Sequence, residues 1–143
     1  MDALIQRLKG KLVLRGTHAK VPKFCNEELT NQSVFQAVTE SVKLLMDRIR
    51  PENCTLDGVR LTEYVFGTRN NPAPRFINDF STPAEQAEHF GFVQLLDGIY
   101  GYLRNNRSHG SRMGFAENEL DFLDAGAMIS YTHRGLDRSF FEG

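Results

Sequence analysis

Two cysteines, Cys25 and Cys54, are all that this 143-residue chain carries. They stand in no Cys-x-x-Cys spacing and beside no paired histidines. That excludes a disulfide scaffold and a zinc cage, and it fits a reducing cytoplasm. No apolar run approaches the roughly 20 residues of a membrane span, so no membrane partner is expected. The N-terminal Met-Asp-Ala-Leu-Ile-Gln-Arg-Leu lacks the apolar stretch and cleavage site of a secretory signal, so a soluble intracellular protein is expected. Charge of one sign is also missing. A formal net charge of −1 excludes a globally basic nucleic-acid binder and leaves room only for a local patch. The histidines His18, His89, His109 and His133 stand singly, with no His-Glu-x-x-His pattern or carboxylate cluster, which disfavours a metal-dependent enzyme. No cofactor is implied.

What is present is enough to fold. The chain is 41% apolar and of a length that fits a single domain over residues 1–143. Leu4, Ile5, Leu8 and Leu12 recur at helical spacing, which predicts a first helix over residues 3–14, with the connection running to Pro22. Val34, Phe35, Val38, Val42, Leu45, Met46 and Ile49 make the clearest apolar stripe, and Pro51 ends that helix. A shorter helix is expected from Asp57 to Phe66, with Leu61, Tyr64 and Val65 apolar. Residues 67–82 read as a long irregular loop, rich in Gly, Asn and Pro. That loop is either functional or a cover over the core.

Thr82-Pro83-Ala84-Glu85 is a helix start, with a capping threonine, proline in first position and glutamate in third. The helix is expected to reach about Asn106, with Phe92, Leu96, Ile99 and Leu103 inward. A last helix is expected from Glu117 to Tyr131, with Leu120, Leu123, Ala127, Met128 and Tyr131 inward. Nothing alternates with period two for long enough to be a strand. The expected fold is all-α, a bundle of four to five helices with two long core helices.

Charge becomes informative at the end of the long helix. No acid occurs from Gly98 to Ala116, yet Arg104, Arg107, His109 and Arg112 do. The acid-free stretch from Tyr64 to Asn78 adds Arg69 and Arg75. Two such stretches brought together would suit phosphate, which arginine meets with a bidentate fork. Geometry sets a condition. Five residues of ideal α-helix rotate by about 500°, leaving Arg104 and His109 roughly 140° apart. The helix is therefore expected to break between Asn106 and Gly110.

Arg104-Asn105-x-x-x-His109 resembles the Arg-polar-x3-His signature of HEPN domains. More closely, the chain resembles the bacterial Ymh-like HEPN family. The resemblance runs through Gln36-Ala37-Val38-Thr39-Glu40-Ser41-Val42-Lys43, Asp57-Gly58-Val59-Arg60-Leu61, Glu88-His89-Phe90-Gly91-Phe92 with Asp97-Gly98, the motif, and Gly135-Leu136-Asp137. It implies a HEPN-like helical bundle and metal-independent endoribonuclease activity in a composite site across a homodimer. His109 would be the general acid/base, Arg104 the phosphate-stabilising cation and Asn105 an orienting group. Arg107, Arg112, Arg69 and Arg75 would hold the RNA backbone. Asp97, seven residues and two helical turns before Arg104 on the same face, is placed to orient Arg104. The resemblance also implies toxin or phage-defence use, with an antitoxin or regulator as partner. Ser111 stands where some HEPN toxins carry a tyrosine modified by their antitoxin, which argues against that form of control. The alternative implied function is a non-catalytic nucleotide- or RNA-binding or dimerisation module.

Overall fold

Leu8 and Leu12, one helical turn apart, are both fully buried and form the inner face of α1 (Asp2–Leu14). The structure is a computed structural model that describes residues 2–22, 34–69, 75–106 and 119–141, with backbone alone for 2–5, 34–36, 104–106 and 141. The stripe of the second segment forms α2 (Val34–Ile49), where Val38, Val42, Leu45, Met46 and Ile49 are buried as expected. Next comes α3 (Gly58–Phe66), capped by Asp57. Leu61 and Val65 face inward, whereas Tyr64 is 58% exposed. The fourth helix, α4 (Pro83–Ile99), begins with the expected capping box, Thr82 and Glu85 each accepting from the other's backbone. Regular α-geometry stops at Ile99, and Tyr100–Asn106 is a π-helix. The chain closes with α5 (Glu119–Arg138).

The protein is all-α, with one apolar core to which all these helices contribute. Helix α2 packs on α5 and on the π-helical segment, while α4 packs on α3 and α5. The spine has three long members rather than two, because α5 spans 20 residues. Its orientation corrects the sequence expectation. Leu120, Ala127, Met128 and Tyr131 are exposed, Leu120 by 67% and Tyr131 by 63%. The buried face is Phe122, Ala125, Gly126, Ile129, Thr132, His133 and Leu136. That set keeps strict helical spacing, but small and polar members hide it from a count of apolar residues. Thr132 bonds internally, its Oγ1 donating to the Ile129 carbonyl at 2.7 Å, which offsets the cost of burying it.

The loop before α4 holds a two-residue strand. Arg75–Phe76 (β1) pairs antiparallel with Phe140–Phe141 (β2), Phe76 opposite Phe140. Two residues are too few to alternate visibly, so the sequence carried no strand signal. Downstream, the Asn78 side chain accepts from Phe80 N and donates to the Glu85 carbonyl and to Glu88 Oε1. Phe76 and Phe80 lie against His89, with ring centroids 5.4 and 5.2 Å away. The described half of the loop is thus a cover over the start of α4. Asp57 and Gly58 also gain a reason. Asp57 accepts from Arg50 and Tyr100, and Gly58 has φ +59°, where a Cβ would come 3.1 Å from the Tyr100 ring.

Two helix-interior glycines should answer the same substitution with opposite signs. A Cβ on Gly135 would stand 2.4 Å from Cε1 of Phe92, so Gly135→Ala is expected to cost about 1–3 kcal/mol. A Cβ on Gly91 meets nothing within 4 Å, and Gly91→Ala is expected to gain about 0.5–1 kcal/mol from helix propensity. Urea midpoints moving in opposite directions check the pair. An unmoved midpoint for Gly135→Ala would show that Phe92 swings clear.

Candidate functional site

Arg104 and Asn105 stand on the last turn of the π-helix, directly after Leu103, which is buried. With Leu96 and Ile99 also buried, the core holds the segment that delivers the pair. In a π-helix each N–H reaches the carbonyl five residues back, so the α-helical rotation used for the motif does not apply over Tyr100–Asn106. The 140° separation of Arg104 and His109 loses its basis there. The expected break, together with Arg107, His109 and Arg112, lies outside the described residues. π-Helical turns are rare and are frequent at functional sites.

The two acid-free stretches do not meet at their described ends. Arg69 places its guanidinium 5.1 Å above the Phe90 ring, fourteen residues and roughly 20 Å along the helix from Arg104. Arg75 is half-buried at the same far end, its Nε donating to Ser139 Oγ at 2.8 Å. Burial, and then the charge of Arg48, hold the Arg75 guanidinium below its ordinary value. Arg75 thus works as a brace between the loop and the end of α5. Asp97 is likewise engaged, accepting from Thr62 Oγ1 of α3 at 2.6 Å. Burial raises its carboxyl, against the pull of that hydrogen bond. The extra apolar width of α4 is used inside the chain as well. Val93 is buried, Tyr100 bonds Asp57, and Phe90 packs on Phe80 and His89.

Two histidines that stand 115 residues apart in sequence come together. The His18 and His133 rings stack at 4.9 Å between centroids. His18 Nε2 reaches Asp137 Oδ2 at 2.9 Å, and its Nδ1 accepts from Lys20 N at 3.2 Å. Asp137 Oδ1 takes Arg48 Nη2 at 2.5 Å. Arg48 Nη1 donates to His133 Nδ1 at 3.0 Å and to the His133 carbonyl at 3.1 Å. A donor facing Nδ1 puts the His133 proton on Nε2, which is buried and has no partner among the described residues. Burial, and then the Arg48 charge, depress His133 to about 4. The Arg48 hydrogen bond leads the causes that hold Asp137 below the usual carboxylate range. With a donor facing Nδ1 of each histidine, the cluster acts as a clamp. It fastens the turn after α1, the end of α2 and the end of α5 to one another. Single histidines at remote positions gave no sequence signal for it, beyond the Gly135-Leu136-Asp137 ending. Among the described residues no three His, Cys, Asp or Glu side chains form a metal-holding group.

An all-α domain whose core helix delivers Arg104 and Asn105 on a π-helical turn is the class that this geometry defines. The model of the family described as "Protein of unknown function (Hypoth_ymh)" matches residues 15–136, and the chain belongs to that family. The match takes in the Arg104…His109 motif, both stacked histidines and α2 to α4. No curated protein and no solved structure matches the chain.

Proposed function

We propose that this protein is a metal-independent endoribonuclease of the HEPN type, working as a homodimer with a composite site around Arg104, Asn105 and His109. The observation that carries the reading is the π-helical ending of the core helix at Arg104–Asn105, inside an acid-free stretch that supplies Arg107, His109 and Arg112. In the proposed reaction the RNA 2′-hydroxyl attacks the adjacent phosphorus, and its proton passes to a base. The 5′-oxygen leaves with a proton from an acid, giving a 2′,3′-cyclic phosphate. His109 serves this exchange because imidazole titrates near neutrality. Arg104 meets two phosphoryl oxygens and stays charged throughout. Asn105 orients one of these groups. Arg107 and Arg112 hold the backbone with little sequence preference, as phosphate contacts do. Arg69 and Arg75, some 20 Å from Arg104 along the helix, are left out of this site.

Tyr102, 60% exposed and two residues before Arg104, offers an aromatic surface on which a second copy would pack. The resemblance further suggests a growth-arresting toxin or phage-defence effector under a regulator other than a tyrosine-modifying antitoxin. Purified full chain incubated with total RNA in excess chelator should produce fragments ending in cyclic phosphate. RNA retained but uncut under those conditions would favour the non-catalytic binding module instead.

A further inference from the structure

Helices α4 and α5 leave between them an open cleft of about 300 Å³, whose α4 residues, Glu88 to Leu95, stand nine to sixteen residues before Arg104. Its walls combine three chemistries. Tyr131 presents a largely uncovered ring, 63% exposed. Arg138 lies seven residues on, two turns and about 10 Å along the same face of α5. Both side chains line the same cleft. Arg138 has no hydrogen-bond or ion-pair partner among the described residues. Across the cleft, Glu88 gives Oε1 to Asn78 and leaves Oε2 without a protein partner among the described residues. Glu88 and Arg138 line one space without pairing to each other. Phe92 and Leu95 form the apolar floor, and Phe92 is held edge-on against Phe66 at 6.0 Å. Gly91 lines the cleft as well. It sits mid-helix with nothing within 4 Å of where a Cβ would be, at a standing cost in helix stability.

We propose that this cleft binds a small planar anion carrying hydrogen-bond donors, the chemistry shared by nucleoside monophosphates and donor-bearing aromatic carboxylates. The flat ring stacks on Tyr131 against the Phe92–Leu95 floor, and the anion takes the guanidinium of Arg138. Glu88 accepts from a ligand hydroxyl or amine and repels a second anionic group. About 300 Å³ is the low end for ligand sites, which suits one small molecule and not a polymer. The inference is independent of the ribonuclease reading.

Isothermal titration of the full chain with adenosine monophosphate and, separately, with 5-hydroxyindole-3-acetate tests it. At least one probe is expected to bind with a dissociation constant below about 1 mM, and the tighter of the two identifies the source. Arg138→Gln should weaken that binding at least tenfold. Gly91→Leu, filling open space, should abolish it while the melting temperature holds or rises. Tyr131→Ala, at an exposed position, gives a second loss should Gly91→Leu fold poorly. No binding of either probe, or binding that survives both Arg138→Gln and Tyr131→Ala, overturns the proposal.

Discussion

His109→Ala is expected to lower RNA cleavage by two to four orders of magnitude, the usual contribution of a positioned general acid or base. Arg104→Ala should cost a comparable factor, about 10²–10³, because a cation aimed at the developing phosphorane charge is lost. Arg104→Lys restores the charge but not the two-pronged fork, so it should recover only part of the rate. The double variant should be little worse than either single one, since groups acting in one step are not additive. Expression in a bacterial host gives a parallel readout, with the parent arresting growth and both alanine variants tolerated. Cleavage or toxicity undiminished in His109→Ala and Arg104→Ala would sink the catalytic assignment. An inactive parent that binds RNA through Arg107 and Arg112 would move the function to the binding module.

The second large effect concerns acid stability. His133 is depressed to about 4 in the fold, against an ordinary imidazole value near 6.5. Above pH 6.5 both folded and unfolded chains hold it neutral, and stability does not depend on it. Between pH 6.5 and 4 the unfolded chain takes a proton that the folded chain refuses, so stability falls as pH falls. The full loss is at most about 3 kcal/mol, less where water screens the neighbouring charges. His89 adds in the same direction, because burial depresses it more than its bond to the Phe66 carbonyl restores it. Asp97 opposes both, since its raised carboxyl favours the protonated fold as pH falls. Asp137, held low chiefly by Arg48, loses its share only below the ordinary carboxylate range. Urea midpoints at pH 7.0, 5.5 and 4.5 should therefore decline, and His133→Gln should flatten the decline. A slope in His133→Gln equal to the parent's would show that the clamp does not refuse the proton.

Much of this was legible in the residues, and the failures have physical causes. The capping box at Thr82 and Glu85 and the α2 stripe need only local spacing, so sequence placed them correctly. The turn of α5 could not be read that way. Ser130 and the Nδ1 side of His133 meet partners from elsewhere in the chain, Thr132 bonds within its own helix, and Tyr131 is exposed because no described helix covers it. Apolar character alone then points to the wrong face. Likewise the acid-free stretches looked like one patch in sequence, but Arg69 stacks on Phe90, roughly 20 Å of helix before Arg104.

The sequence by itself determined the all-α class, membership of the matched family and most helix starts to within a few residues, although α5 runs to Arg138, seven residues past the expected end at Tyr131. Those depend on interactions between near neighbours along the chain. Only the tertiary structure decided that α4 ends in a π-helix, that His18 and His133 stack beneath Arg48 and Asp137, and that Tyr131 and Arg138 face Glu88 across an open cleft. Each of these joins groups remote in sequence or departs from ideal helix geometry, and only packing of the whole chain specifies them.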